Sequence, residues 1–177
     1  MSERIAYDNL VYESPILQLR SVGLQMPGGH VLQRDLVHYT GAAVVLPVLA
    51  DGGVVLIRNY RFAVGEDLWE LPAGMLEKGE QPEACAAREL TEETGYTAGR
   101  IEKLCEFYSA PGTSDERIHA YLATDLTDGR QRLEADEEIA VEVVAEADAR
   151  RMILDGTIHD GKTIAALLMH WTKRESA

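Results

Sequence analysis

The chain is short of cysteine, of basic charge and of long apolar stretches, and each shortage removes a class of protein. Two cysteines in 177 residues, Cys85 and Cys105, cannot build a disulfide framework. Neither they nor the five histidines show the spacing of a zinc or redox site. Cys85 falls within an acidic helical stretch, where a small buried side chain is expected rather than a disulfide. Lysine and arginine number 17 against 30 acids, and the resulting net charge of −13 excludes general affinity for nucleic-acid backbones. No apolar run approaches the roughly 18 residues that span a bilayer. The opening MSERIAYDNLVYE lacks the apolar core of a signal peptide, so the expected location is the cytoplasm. Repeats and low-complexity linkers are missing as well. What remains is a chain with a hydrophobic content of 46%, large enough for one substantial core with a small appendage.

What the chain does have is a concentration of acids between Gly74 and Tyr96: GMLEKGEQPEACAARELTEETGY. Pro82 suits a first helical turn, where its missing N–H goes unused. Gly95 suits a left-handed helix end. Between them Ala84, Ala87, Leu90 and Thr94 recur at helical steps and read as one buried stripe. Glu89, Glu92 and Glu93, at i, i+3 and i+4, are expected on a different face of the same helix. Like charges at that spacing repel, and a hard divalent cation that takes oxygen ligands would relieve the repulsion. Such a cation also makes sense of an acidic protein acting on an anionic substrate, because it inverts the local field.

Alone, ELTEE beside an arginine reads as a solvated helix face. The full spacing is more specific. Gly74, five residues, Glu80, seven residues, Arg88-Glu89-Leu90, one residue, Glu92-Glu93, one residue, Gly95 resembles the box of the Nudix hydrolases at every charged and glycine position. The departure is Tyr96, where that family has an aliphatic residue; a tyrosine ring fills an apolar slot if its hydroxyl finds a partner. The resemblance implies hydrolysis of a nucleoside diphosphate linked to another moiety, with Mg²⁺ (or Mn²⁺) as cofactor. It implies that Glu89, Glu92 and Glu93 hold metal together with the carbonyl of Ala73, that Arg88 orients the glutamates, and that Glu80 supports the site beside Gly74.

Along the chain, residues 9–21 and 31–38 read as strands around a Met26-Pro27-Gly28-Gly29 turn. Residues 41–50 and 53–60 read as a hairpin through Asp51-Gly52-Gly53. Further strands are expected at 100–108, 117–124 and 139–145, and helices at 146–155 and 162–173. This order gives an α/β class with a mixed β-sheet. The resemblance sharpens it to a Nudix α/β/α sandwich over residues 41–177, preceded by a small N-terminal antiparallel β segment over residues 1–40.

The flanks narrow the resemblance. Arg58-Asn59-Tyr60-Arg61 followed by Leu68-Trp69-Glu70-Leu71-Pro72-Ala73-Gly74 is similar to the ADP-ribose pyrophosphatase branch. So are Val11-Tyr12-Glu13, Lys162-Thr163-Ile164-Ala165, and the loop 109–116, which places Pro111 sixteen residues beyond Gly95. In that branch the N-terminal strands swap across a homodimer and help to build the nucleotide pocket. Arg58 and Arg61 read either as strand-end charges or as phosphate and ribose contacts. Trp69 reads as a core side chain or a stacking platform. Arg34 resembles the branch's cross-dimer substrate arginine, with Asp35 where a glutamate is expected. The branch carries its general base on a loop before a strand; here Glu134-Ala135-Asp136-Glu137-Glu138 is that stretch, with Glu137 and then Glu138 as the candidates. The implied reaction converts ADP-ribose, or a related nucleoside diphosphate sugar, to AMP and the sugar phosphate. GDP-mannose or another sugar nucleotide is the competing substrate, and a non-catalytic nucleotide-binding sensor is the competing role.

Overall fold

The computed structural model describes residues 4–133 and 138–176. Its chain divides into two compact units, one formed by residues up to Gly41 with Tyr108–Arg117, the other by Ala42–Phe107 with Ile118 onward. The class is mixed α/β, as expected: the described residues form three sheets, of three, three and four strands, with three α-helices and one π-helical turn. Among the described residues no helix is long and apolar enough to cross a membrane.

The first unit holds an antiparallel sheet of β1 (Ile5–Glu13), β2 (Gln18–Gln25) and β3 (Val31–His38). The single strand expected over 9–21 is therefore two strands and a turn. Pro15 has no N–H to give a ladder, and the Ser14 hydroxyl accepts from the amides of Ile16 and Leu17, which turns the chain back. The glycine turn after β2 forms where the sequence places it, with Gly28 and Gly29 both at positive φ. Tyr108–Arg117 joins β3 through a parallel bridge from Val37 to Ser114, and Asp115 accepts from the Tyr39 amide and binds His38 at 2.6 Å.

The second unit is organised around β4 (Ala42–Pro47), buried along its whole length. It lies parallel to β9 (Arg117–Thr127) and antiparallel to β7 (Ala73–Met75), with β8 (Thr97–Tyr108) beyond β9. A second sheet pairs β5 (Val54–Arg61) with β6 (Glu66–Glu70) on one side and β10 (Ile139–Val144) on the other, all antiparallel. Strand alternation sorts β4 between two cores. Ala43 and Val45 pack with Cys85, Ala86 and Leu90 of the acidic helical stretch. Val44 and Leu46 pack with Ala149 of α2 (Glu146–Leu154) and with Ala166, Leu167 and Trp171 of α3 (Gly161–Glu175). The short β6 and β7 were not legible beforehand: β6 mixes polar and apolar residues over five positions, and β7 has three residues.

Candidate active site

The acidic stretch does not run as one α-helix. Its α-helical part, α1, covers Pro82–Glu89, and Leu90–Thr94 then widens into a π-helical turn closed by Gly95 in the left-handed conformation. Thr91 and Thr94 donate their hydroxyls to the carbonyls of Ala87 and Leu90, one turn back. Such turns recur at functional sites.

The inner face also differs from the expected one. Ala84 is exposed and Ala87 half-buried, so the expected alanine stripe is not the inner surface. Cys85, Ala86, Leu90 and Thr94 are buried, and with them Glu89 and Glu93, at 8% and 3% exposure. The two glutamates thus sit beside the core rather than on a separate solvated face, while Glu92 is half-buried. The Cys85 thiol, expected to be small and buried, is both; burial pushes its pKa up to about 12, and it donates to the carbonyl of Met75.

Arg88 organises the carboxylates. Its Nε and Nη2 grip both oxygens of Glu80 at 2.9 and 3.0 Å, and Nη1 reaches Glu89 at 2.6 Å and Glu92 at 3.1 Å. Nη2 also donates to the Met75 carbonyl, tying the helix to β7. Glu93 accepts the Ala73 amide at 2.9 Å. One guanidinium thus faces three carboxylates, and the fourth, Glu93, lies beside them on the Ala73 amide. Gly74 completes the wall: a Cβ there would fall 1.8 Å from a carboxylate oxygen of Glu89, so only glycine admits that carboxylate. Among the described residues no three His, Cys, Asp or Glu side chains form a ready-made metal cage, because Arg88 draws Glu89 and Glu92 to itself. The donor set nevertheless fits a hard cation in kind: oxygens only, on a backbone-lined cradle with an excess of negative charge.

The Arg88 hydrogen bonds hold the Glu80 carboxyl at a pKa of about 2, below its ordinary 4.5. Since the folded value is depressed, the stabilisation is complete above pH 4.5 and is lost as pH falls through about 2. Glu80→Gln is expected to flatten the decline of the urea midpoint between those two pH values. A variant whose decline matches wild type would remove Glu80 from the acid response.

A second charged group lies next to the first in the chain and escaped the sequence reading. Glu70, at the end of β6 and 1% exposed, receives Arg61 through two bonds of 2.8 and 2.7 Å and Lys162 through one of 2.6 Å. Asp160 caps α3 by accepting the Thr163 amide, and it also binds Lys162 at 3.0 Å. Thr163 in turn accepts the Leu71 amide. These bonds fix the backbone just ahead of Ala73. The signal was present in Leu68–Gly74 and Lys162–Ala165, but a buried carboxylate cannot be told from an exposed one by type.

The remaining candidates are placed as follows. Arg58 is exposed on β5, with its guanidinium 5.6 Å over the Trp69 ring and 3.7 Å from Asp67. Trp69 is half-buried against the main core. Arg34, exposed on β3, and Pro111, exposed in the 109–116 loop, belong to the first unit. Glu137 lies outside the described residues; Glu138 is exposed and immediately precedes β10.

Known proteins share this fold. A solved structure of an ADP compounds hydrolase superposes with a TM-score of 0.81 at 22% identity, covering 97% of this chain and 94% of that one, which shows the fold alone. The ADP-ribose pyrophosphatase of Bacillus subtilis (strain 168) is 35% identical over 169 residues, 94% of this chain and 91% of its own. The GDP-mannose pyrophosphatase of Shigella flexneri is 39% identical over 138 residues, 72% of this chain and 71% of its own. Residues 38–167 match the NUDIX domain, and with that match the chain is a member of the Nudix hydrolase family.

Proposed function

We propose that the chain hydrolyses the pyrophosphate bond of ADP-ribose, or of a closely related nucleoside diphosphate sugar, with Mg²⁺ as its cofactor and Mn²⁺ as a substitute. The observation that carries this reading is the set of Glu80, Glu89 and Glu92 held by Arg88, with Glu93 on the Ala73 amide, against the Gly74 wall. Likeness to an ADP-ribose pyrophosphatase along nearly the whole chain supports the substrate class.

Glu89, Glu92, Glu93 and the Ala73 carbonyl would hold the metal. Bound there, a divalent cation supplies polarised phosphoryl oxygens and a water of lowered pKa. The residues do the rest. Arg88 and Glu80 keep the glutamates in register. Glu137 or Glu138 takes a proton from the attacking water as its oxygen bonds to one phosphorus and the bridging P–O bond breaks, which leaves AMP and ribose 5-phosphate from ADP-ribose. Arg58, exposed and stacked on Trp69, is placed to meet a phosphate or a base, whereas Arg61 is committed to Glu70. Arg34 and Pro111 are assigned to the substrate on the resemblance alone. A homodimer joined through the N-terminal strands fits the exposed Leu10, Val11 and Tyr12 of β1.

A coupled-phosphatase assay of a nucleoside diphosphate sugar panel with Mg²⁺ tests the reading. ADP-ribose should be turned over fastest, and chelation should abolish phosphate release. Preference for GDP-mannose, which the Shigella flexneri likeness favours, would replace the substrate but keep the reaction. Release from none of them would leave a nucleotide-binding sensor.

Gly74→Ala probes the cradle independently. The added Cβ displaces only the end of the Glu89 side chain, so the fold should persist. The Mg²⁺ concentration for half-maximal rate should rise about 10–100-fold, the scale of losing a supporting contact at a metal site. An unchanged Mg²⁺ requirement would contradict the role of Glu89.

A further inference from the structure

The π-helical turn ends in carbonyls that its own winding cannot serve, because the last four carbonyls of any helix lack partners within it. Two of them, on Glu92 and Glu93, are met from the stretch after β9. The Arg132 amide donates to Glu92 O at 2.9 Å, and the Gln131 side-chain Nε2 donates to Glu93 O at 2.6 Å. The same Nε2 donates to Ile139 O, at the first residue of β10, at 3.2 Å. Both partners are carbonyls, so only the NH₂ end of the amide can face them, and its two hydrogens serve one each. Close packing backs the contact. A Cβ on Gly129 would lie 2.6 Å from Gly95 O, and one on Gly95 would lie 2.9 Å from Arg130 C and Gln131 N. Gly95 is in addition at φ +82°, so it is needed both for its conformation and for this approach.

We propose that Gln131 is a positioning residue: through one amide it locks the turn carrying Glu92 and Glu93 to the foot of β10, where Glu138 directly precedes Ile139. The inference rests on the proposed function for what is being positioned, namely metal-holding carboxylates on one side and a candidate proton acceptor on the other. Ile139 is itself seated by pairing with Asn59 of β5, so the amide joins the turn to an anchored strand rather than to a free loop. A helix cap alone would need only the Glu93 bond. The second bond, to Ile139, makes the side chain a strut between two elements.

The test is peptide-resolved hydrogen exchange on the metal-free full chain, comparing wild type with Gln131→Ala and Gln131→Glu. The glutamate variant keeps the size of the side chain but points oxygen at both carbonyls. Exchange should accelerate about five-fold or more both in peptides over 90–96 and in peptides over 139–144, with β8 unchanged. In the same variants kcat on ADP-ribose should fall about ten-fold with KM within about two-fold, as expected when transition-state geometry rather than substrate binding is lost. Acceleration confined to 90–96 would mean a simple cap and overturn the strut. Acceleration spread evenly through β8 would mean general destabilisation and overturn it too. If wild type turns over no nucleotide sugar, the function reading fails, while the exchange pattern still decides whether Gln131 joins the two elements.

Discussion

Glu93→Gln is expected to lose on the order of 10³-fold in kcat while the protein stays folded, the scale of removing one charged participant from a metal-assisted site. The substitution is nearly isosteric. The glutamine oxygen can still accept the Ala73 amide that Glu93 now takes at 2.9 Å, so the link between the π turn and β7 is kept. What disappears is one negative charge from a cluster whose excess charge is its qualification for a divalent cation. The neighbouring core supports the separation of activity from stability, because Leu90 and Thr94 stay buried on either side. Turnover at saturating Mg²⁺ within about ten-fold of wild type would remove Glu93 from the site, and a collapsed thermal transition would make its role structural.

Arg61→Met is expected to be the most destabilising change at any exposed or half-exposed arginine of β5, and Arg58→Met close to silent. The contrast follows from what each guanidinium faces. Arg61 gives two charge-assisted bonds to a carboxylate that is 1% exposed, and the Glu70 bonds raise its pKa further. Removing one partner of a buried pair costs about 3–5 kcal/mol. Arg61 is itself partly in water and Lys162 remains on Glu70, so about 2–3 kcal/mol is the better estimate. For a chain of this length that lowers Tm by roughly 4–12 °C. Arg58 meets Asp67 at 3.7 Å with both side chains about half exposed, a pair worth about 0–1 kcal/mol. Equal shifts in Tm for the two variants would show that Glu70 does not depend on Arg61. A KM effect in Arg58→Met without a Tm effect would instead mark the exposed Arg58 guanidinium as the one that meets substrate.

The ease with which these features could be read from sequence followed their physics. Turn glycines were legible because φ is a local property: Gly28, Gly29, Gly52 and Gly95 all sit at positive φ where the sequence puts a turn or a helix end. β3 was legible as a run following the Met26-Pro27-Gly28-Gly29 turn and matched at 31–38. The break at Ser14-Pro15 was missed although its signal was local, because the apolar residues on either side read as continuous. The faces of the acidic helix were misassigned for a deeper reason. Periodicity assumes 3.6 residues per turn, which the wider turn from Leu90 does not keep, so Glu93 falls on the core side; Glu89 belongs to the regular α-helical part and is buried beside Gly74, which its residue type does not announce. The Arg88 contacts with Glu80, Glu89 and Glu92 lie within the one segment whose resemblance to the Nudix box implied them. Glu70 with Lys162, and Gln131 with Ile139 and Glu93, join residues distant in the chain or bond through backbone carbonyls, which have no side-chain signature.

β4 has no side of its own. Its residues from Ala42 to Leu46 alternate between two cores, so neighbouring codons in that strand answer to different constraints. Drift at Ala43 or Val45 is felt by the helix that carries the acids. Drift at Val44 or Leu46 is felt by α2 and α3, and through α3 by the Lys162 end of the Glu70 network. The strand therefore couples to both charged groups at once, to the acids around Arg88 through its odd positions and to Glu70 through its even ones.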